Sequence, residues 1–249
     1  MQNYPLVSVV TVVYNGVDTI ERTVKSVIDQ DYPNLEYVII DGGSGDGTLD
    51  ILKKYRGNID QLIIESDDGL YDAMNKGIRV SSGDYLWFIN AGDEVGDNSL
   101  LKRVFSNHSL ADIYYGDTLI VNDNGQEIGL RRLKPVKNIE WKHFNRGMLI
   151  GHQAAIVSRS VASYYNLKYR FAADYEWLLL ALKNSSTRIY TGEVMCRFLD
   201  GGLTKKNIVP GLKERYNIMV KYFGWFKTFY CHIPIAIKFL LYLIKHRRF

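Results

Sequence analysis

Val7 to Val13 reads VSVVTVV, a largely β-branched run without a charged position, and this predicts a central strand buried on both faces. Tyr14-Asn15-Gly16 ends it. From about Thr19, Ile20, Val24, Val27 and Ile28 recur at helical spacing, and the helix they predict stops near Asp31-Tyr32-Pro33, because proline cannot continue the ladder. A second strand is expected over Leu35 to Ile40, a helix over Leu49 to Tyr55, a short strand over Leu62 to Glu65, a helix over Gly69 to Val80 and a strand over Tyr85 to Asn90. Strand alternating with helix implies right-handed crossovers and a mostly parallel sheet. Past residue 100 the pattern thins. Ile113-Tyr-Tyr-Gly116 and Thr118 to Val121 read as two strands joined by a turn, before the polar stretch Asn122-Asp-Asn-Gly125. A mixed sheet edge is expected there. Asp174 to Lys183 reads as a helix packing Trp177, Leu178, Ala181 and Leu182 inward.

Where the strands end, carboxylates stand. Asp41 follows YVII, Asp68 lies in ESDDGLYDAMNKG, Asp93 follows LWFINAG, and Asp174 opens the late helix in FAADYEW. Acidic residues at the carboxyl ends of a parallel sheet occupy the crevice where open α/β folds bind ligands. That placement points to a nucleotide-sugar, whose diphosphate calls for Mg²⁺ or Mn²⁺ held by carboxylate oxygens. The loop Asp41-Gly-Gly-Ser-Gly-Asp-Gly-Thr48 supplies glycines able to take positive φ, with Asp46 or Thr48 to cap the next helix.

Composition changes the picture at one end only. The 249 residues carry a formal net charge of +4, but residues 205 to 249 hold ten Lys or Arg against Glu214, a net of +9, leaving −5 for residues 1 to 204. Two cysteines, Cys196 and Cys231, without paired spacing, suggest neither a disulfide framework nor a zinc site. The amino terminus enters a strand without the features of a secretion signal, so a cytoplasmic location is expected. From Tyr216 onward aromatic and aliphatic residues alternate with lysines up to Lys245-His-Arg-Arg248, and the apolar run Ile233 to Ile244 is too short for the ~20 residues of a span. A helical tail lying on the inner face of the cell membrane is expected.

The motifs SVVTVVYNG, YVIIDGGSGDGT, DDGLYDAMNKG and GDYLWFINAGDE, in that order and spacing, resemble the GT-A fold, family 2 glycosyltransferases of bacterial polysaccharide and lipopolysaccharide assembly. The resemblance spans roughly residues 5 to 205. It implies a Rossmann-like nucleotide-binding half over residues 1–100 and an acceptor half over 101–205; the amphipathic helical tail over 206–249 lies outside it. By the same resemblance Tyr14 stacks near the base, Asp41 accepts the uracil imide, Asp68 helps hold the nucleoside, and Asn75 and Lys76 lie near the ribose or diphosphate. Asp93 resembles the last acid of the family's DxD metal motif, with Ala91 in place of the first acid and Glu94 as a second candidate ligand.

Asp174 is similar to the aspartate of the family's late ED motif, with Ala173 where that motif has Glu, and implies a general base and inversion at the anomeric carbon. Glu176 is the fallback base, His152 and Gln153 are acceptor-side candidates, and Gly201-Gly-Leu-Thr204 with Lys205 or Lys206 resembles the segment that covers the substrate. The implied acceptor is an oligosaccharide linked to a polyprenyl diphosphate, and a homo-oligomer is allowed. A nucleotidyltransferase would need a glycine-rich basic loop that SVVTVVYNG lacks. A catalytically inactive, tethered sugar-nucleotide or glycan-binding module is the other reading, supported by Ala91; nucleic acid is not expected as a partner.

Overall fold

The computed structural model describes residues 4–201 and 207–233. Strand β1 (Val7–Val13) is buried at all seven positions, as its largely β-branched, uncharged run predicts. It pairs in parallel with β2 (Leu35–Asp41), and β2 with β3 (Gln61–Ile64); on its other side β1 pairs in parallel with β4 (Tyr85–Phe88). Helices α1 (Ile20–Ile28), α2 (Thr48–Lys54) and α3 (Leu70–Val80) form the crossovers. The first hundred residues therefore follow the expected alternation, and the exits of β1, β2 and β4 fall on one edge of the sheet.

The second half adds β5 (Glu94–Val95), α4 (Leu100–Asn107), β6 (Ile113–Val121), β7 (Glu127–Leu130), β8 (Ala155–Ser158), α5 (Ala173–Asn184), β9 (Arg188–Leu199) and α6 (Ile208–Phe223). The nine-stranded sheet runs β3-β2-β1-β4-β8-β6-β9-β5, with β7 a hairpin on β6. Strand β8 is antiparallel to both β4 and β6, which makes the sheet mixed. The expected pair of strands around Gly116 is one continuous β6. Its register against β9 shifts between Tyr115 and Thr118, and a Cβ at Gly116 would stand 2.4 Å from the Glu193 carbonyl oxygen. Gly116 thus serves close approach of β9 at a bulge, where the sequence pattern suggested a turn.

One contact fixes how α3 lies on the sheet. A Cβ on Gly77 would come within 2.4 Å of Val10 Cγ1, and Val10 is fully buried on β1. Ala at position 77 gains under about 1 kcal/mol in helix propensity, but overpacking of a fixed valine costs about 1–3 kcal/mol. Gly77→Ala is expected to lower the melting temperature by several degrees, and Val10→Ala in the same chain to restore part of it. An unchanged or raised melting temperature in calorimetry would show that the helix does not rest on β1 in this way.

Candidate active site

Asp41 closes β2 and is fully buried. Its Oδ1 accepts from the backbone N–H groups of Gly43 (2.9 Å) and Ser44 (2.7 Å), while its Oδ2 is buried with no partner. A buried carboxylate oxygen without a donor is costly unless a ligand supplies one. Tyr14 stands beside it, 65% exposed. Asn15, at φ 50°, ties this turn to the glycine loop: its N–H donates to Ser44 Oγ (2.8 Å) and its side-chain oxygen accepts from Gly45 (3.0 Å).

Asp67, not its neighbour, comes to this side of the crevice. A Cβ on Gly42 would meet Asp67 Oδ2 at 2.5 Å and the Tyr14 ring at 3.3 Å, so only glycine lets that carboxylate lie there. Asp67 Oδ1 accepts from Gly69 N–H (2.9 Å), an Asx turn that opens α3. Asp68 is exposed and is engaged through its backbone N–H alone, to Asp72 Oδ2 at 3.2 Å. The sequence offered the signal in Asp-Asp-Gly, since the Asp two positions before glycine is the one that makes the turn.

The expectation for Asn75 and Lys76 changes. Asn75 is buried, donating to the Tyr165 carbonyl (2.9 Å) and accepting from the Tyr165 N–H (2.7 Å), so its amide clamps a distant loop. Lys76 donates to the Ser66 carbonyl at 2.7 Å and pairs with Glu65 at 3.0 Å and Asp72 at 3.5 Å. Asn75 thus ties α3 to the Tyr165 loop, and Lys76 ties it to the loop before it.

The acidic centre joins three elements. Asp93 is buried; its Oδ2 accepts from Gln153 Nε2 (2.9 Å) and its Oδ1 from the Leu199 N–H on β9 (3.1 Å). Burial pushes its pKa up to about 6 against those hydrogen bonds. In the same turn Asn90 Nδ2 meets His152 Nε2 at 3.1 Å, and Asn90 Oδ1 is buried without a partner. His152 Nδ1 lies 3.4 Å from Asp174 Oδ2 without an aligned hydrogen bond. His152 and Gln153 therefore link the Asp93 turn to Asp174, a tighter role than lining an acceptor surface.

Asp174 sits in the first turn of α5 with its side chain 17% exposed. Its Oδ1 accepts from the Tyr71 hydroxyl (3.1 Å) and the Tyr175 N–H (2.9 Å). Burial raises its pKa, but His152, the charge of Arg215 and the Tyr71 hydrogen bond outweigh burial and leave it below the ordinary carboxylate value. Burial and Asp174 hold the Tyr71 phenol well above its ordinary range, so it remains a donor. Tyr71 stacks on Tyr165, and Tyr165 on Trp177, with centroids 5.4 and 5.1 Å apart. This wall fixes the carboxylate on one side.

Glu176 is removed as a fallback base. It is 2% exposed, and its carboxylate accepts from Asn166 Nδ2 (2.8 Å), Lys221 Nζ (2.8 Å) and the Tyr222 hydroxyl (2.9 Å). Those bonds dock α6 on the body. Glu214 of α6 reinforces them by accepting from the N–H groups of Arg170, Phe171 and Ala172, immediately before the Asp174 helix. The start of the expected separate tail is thus part of the support beneath Asp174, and Ile218 and Met219 are buried there. Of the expected cover segment, residues 202–206 lie outside the described residues.

Among the described residues no group of three His, Cys, Asp or Glu side chains is gathered to hold a metal. The residues present fit a cation only as a shared ligand. Asp93 offers a carboxylate whose oxygens each take one hydrogen bond, and the orphaned Asn90 Oδ1 offers a neutral oxygen in the same turn. Remaining positions suit substrate phosphates, as is common for Mg²⁺.

Residues 8–165 match Glycosyl transferase family 2. The chain belongs to glycosyltransferase family 2. This glycosyltransferase is 32% identical over 189 residues to an uncharacterized glycosyltransferase of Mycobacterium tuberculosis, covering 73% of this chain and 70% of the relative. It is 30% identical over 192 residues to a PGL/p-HBAD biosynthesis glycosyltransferase of Mycobacterium bovis, covering 72% and 71%. Its fold resembles that of S. aureus TarS 1–349 in complex with UDP-GlcNAc, with a TM-score of 0.68 at 18% identity, covering 86% of this chain and 64% of that one. The glycosyltransferase has the GT-A fold expected from its motifs.

Proposed function

We propose that this glycosyltransferase moves a hexose, with inversion, from a UDP-sugar to a hydroxyl of a lipid-linked oligosaccharide in surface polysaccharide assembly. The observation that carries the reading is Asp174, a carboxylate kept ionised in a nearly closed site and joined through His152 to the Asp93 turn. Tyr14, the free Asp41 Oδ2 and Asp67 suit a stacked uracil whose imide donates to a carboxylate. The UDP-GlcNAc complex of a protein sharing the fold supports that choice of donor.

In the reaction, Asp174 takes the proton of the acceptor hydroxyl as its oxygen attacks the anomeric carbon, and the bond to the diphosphate breaks on the opposite face. Tyr71 holds Oδ1 so that Oδ2 faces the acceptor, and His152 steadies Oδ2 from the Asp93 side. Asp93 and Asn90 would hold Mg²⁺ or Mn²⁺ together with diphosphate oxygens; such an ion neutralises charge on the leaving group. UDP-hexoses and GDP-hexoses, screened with Mg²⁺, Mn²⁺ or EDTA, test the reading. Metal-dependent release of UDP is expected. Nucleotide binding without turnover under every condition would favour the inactive binding module, which the alanine at position 91 supports.

The acceptor's lipid would sit beside the carboxyl-terminal segment. Residues 225–233 are helical, and Trp225, Phe226, Phe229, Tyr230 and Ile233 are exposed at one-face spacing while Thr228 is fully buried. Among the described residues no helix is long and apolar enough to cross a membrane. An aromatic face flanked by lysines suits the interfacial plane of an anionic leaflet. Replacing Trp225, Phe226, Phe229 and Tyr230 by serine is expected to weaken binding to phosphatidylglycerol vesicles by about tenfold or more, with hydrolysis of soluble donor unchanged. Equal vesicle binding in flotation would remove the membrane from this part of the reading. Expected roles for Lys238 and for Lys245 to Arg248 lie outside the described residues.

A further inference from the structure

The charges of Arg131 and Arg215 act on one another and on Asp174, and among the described residues neither guanidinium is paired with a carboxylate. Arg131 follows β7, its backbone N–H fixed to the Thr118 carbonyl at 2.8 Å, and its Nη1 is buried with no acceptor. Arg215 projects from α6 with its guanidinium carbon 5.6 Å from the Tyr175 ring centroid, and its Nε is likewise buried with no acceptor. Asp174 spends its hydrogen bonds on Tyr71 and Tyr175 instead.

Like charges placed together, with desolvated N–H donors left open, are unfavourable in the free protein. Burial and the neighbouring Arg215 pull the Arg131 guanidinium down to about 10, the direction expected of a cation lacking its counter-ion. Planar guanidinium forks match the oxygens of phosphate. His152, Tyr71 and the Tyr175 N–H occupy other sides of Asp174, so an anion entering here would lie against the reacting groups.

We propose that Arg131 and Arg215 form a phosphate subsite beside Asp174, which takes either the donor diphosphate or a phosphate carried by the acceptor. This rests on reading Asp174 as the general base. Bound donor phosphate would receive there positive charge that the alanine at position 91 does not help a metal to supply; bound acceptor phosphate would set which hydroxyl reaches Asp174.

Calorimetric titration of the whole chain with inorganic phosphate, uridine and UDP tests it, using Arg131→Gln, Arg215→Gln and Asp174→Asn. Each arginine variant is expected to bind phosphate about tenfold or more weakly, with uridine affinity unchanged, while Asp174→Asn binds phosphate more tightly because a neighbouring negative charge is gone. A parallel loss of UDP affinity identifies the donor diphosphate as occupant. Unchanged UDP affinity, with a raised KM for a phosphate-bearing acceptor but not for a neutral one, identifies the acceptor.

Equal phosphate binding in folded wild type and arginine variants would overturn the subsite. If a variant does not fold, phosphate must move the Arg131 and Arg215 guanidinium NMR signals of the wild type, and signals that stay fixed would overturn it equally. Phosphate binding that needs both arginines in a chain that binds no nucleotide would leave the subsite standing and count against the transfer reading.

Discussion

Asp174→Asn is expected to lower kcat by about 10²–10⁴-fold, the range for removing a positioned general base, while UDP affinity changes little. The amide keeps an oxygen for the Tyr71 hydroxyl and the Tyr175 N–H, so the site keeps its shape and loses only its basicity. The same change has a sign in stability. The folded pKa of Asp174 lies below its ordinary value, so the folded chain binds fewer protons through that window and gains stability as pH rises through it. At neutral pH the variant should therefore melt slightly lower than wild type, and the difference should shrink in acid. Turnover near wild type would exclude Asp174 as the base.

Asp93→Asn should do the reverse to stability while also removing activity. With the Asp93 pKa raised to about 6 from 3.8, the folded chain binds more protons than the unfolded chain between those values, so stability falls as pH rises from about 4 to 6. At pH 7 the cost of the buried charge is on the order of 3 kcal/mol, from about 1.4 kcal/mol per pKa unit. The variant should melt several degrees higher at pH 7, with the gain disappearing near pH 4, and its metal-dependent turnover should fall by roughly 10²-fold or more. A lower melting temperature at pH 7 would mean that the hydrogen bonds from Gln153 and Leu199, not burial, govern this carboxylate.

The parts of the fold that could be read in advance are those whose burial is uniform along the chain. Strands β1 and β2 announce themselves through unbroken apolar runs, and α3 through its apolar spacing, because each is covered along most of its length. Strand β9 is half-buried along most of its length, contains Gly192 and Glu193, and pairs with β6 and β5, whose paired residues lie 75–78 and 101–103 positions earlier. Such pairing leaves no local periodicity.

Asp41, Asp93 and Asp174 stand out in the sequence because each lies at the end of an element. For Asn75, Lys76 and Glu176 a polar residue on a helix has no sequence mark showing whether its partner is protein or ligand; in the structure all three engage protein groups. Arg131 and Arg215, separated by α5 and β9, meet only through tertiary packing.

Stereochemistry tests the central claim most directly. Proton NMR of donor hydrolysis, started from an α-linked UDP-hexose and followed before mutarotation, should show the β-anomer first, with that signal lost in Asp174→Asn. The α-anomer appearing first would contradict direct displacement with Asp174 as base.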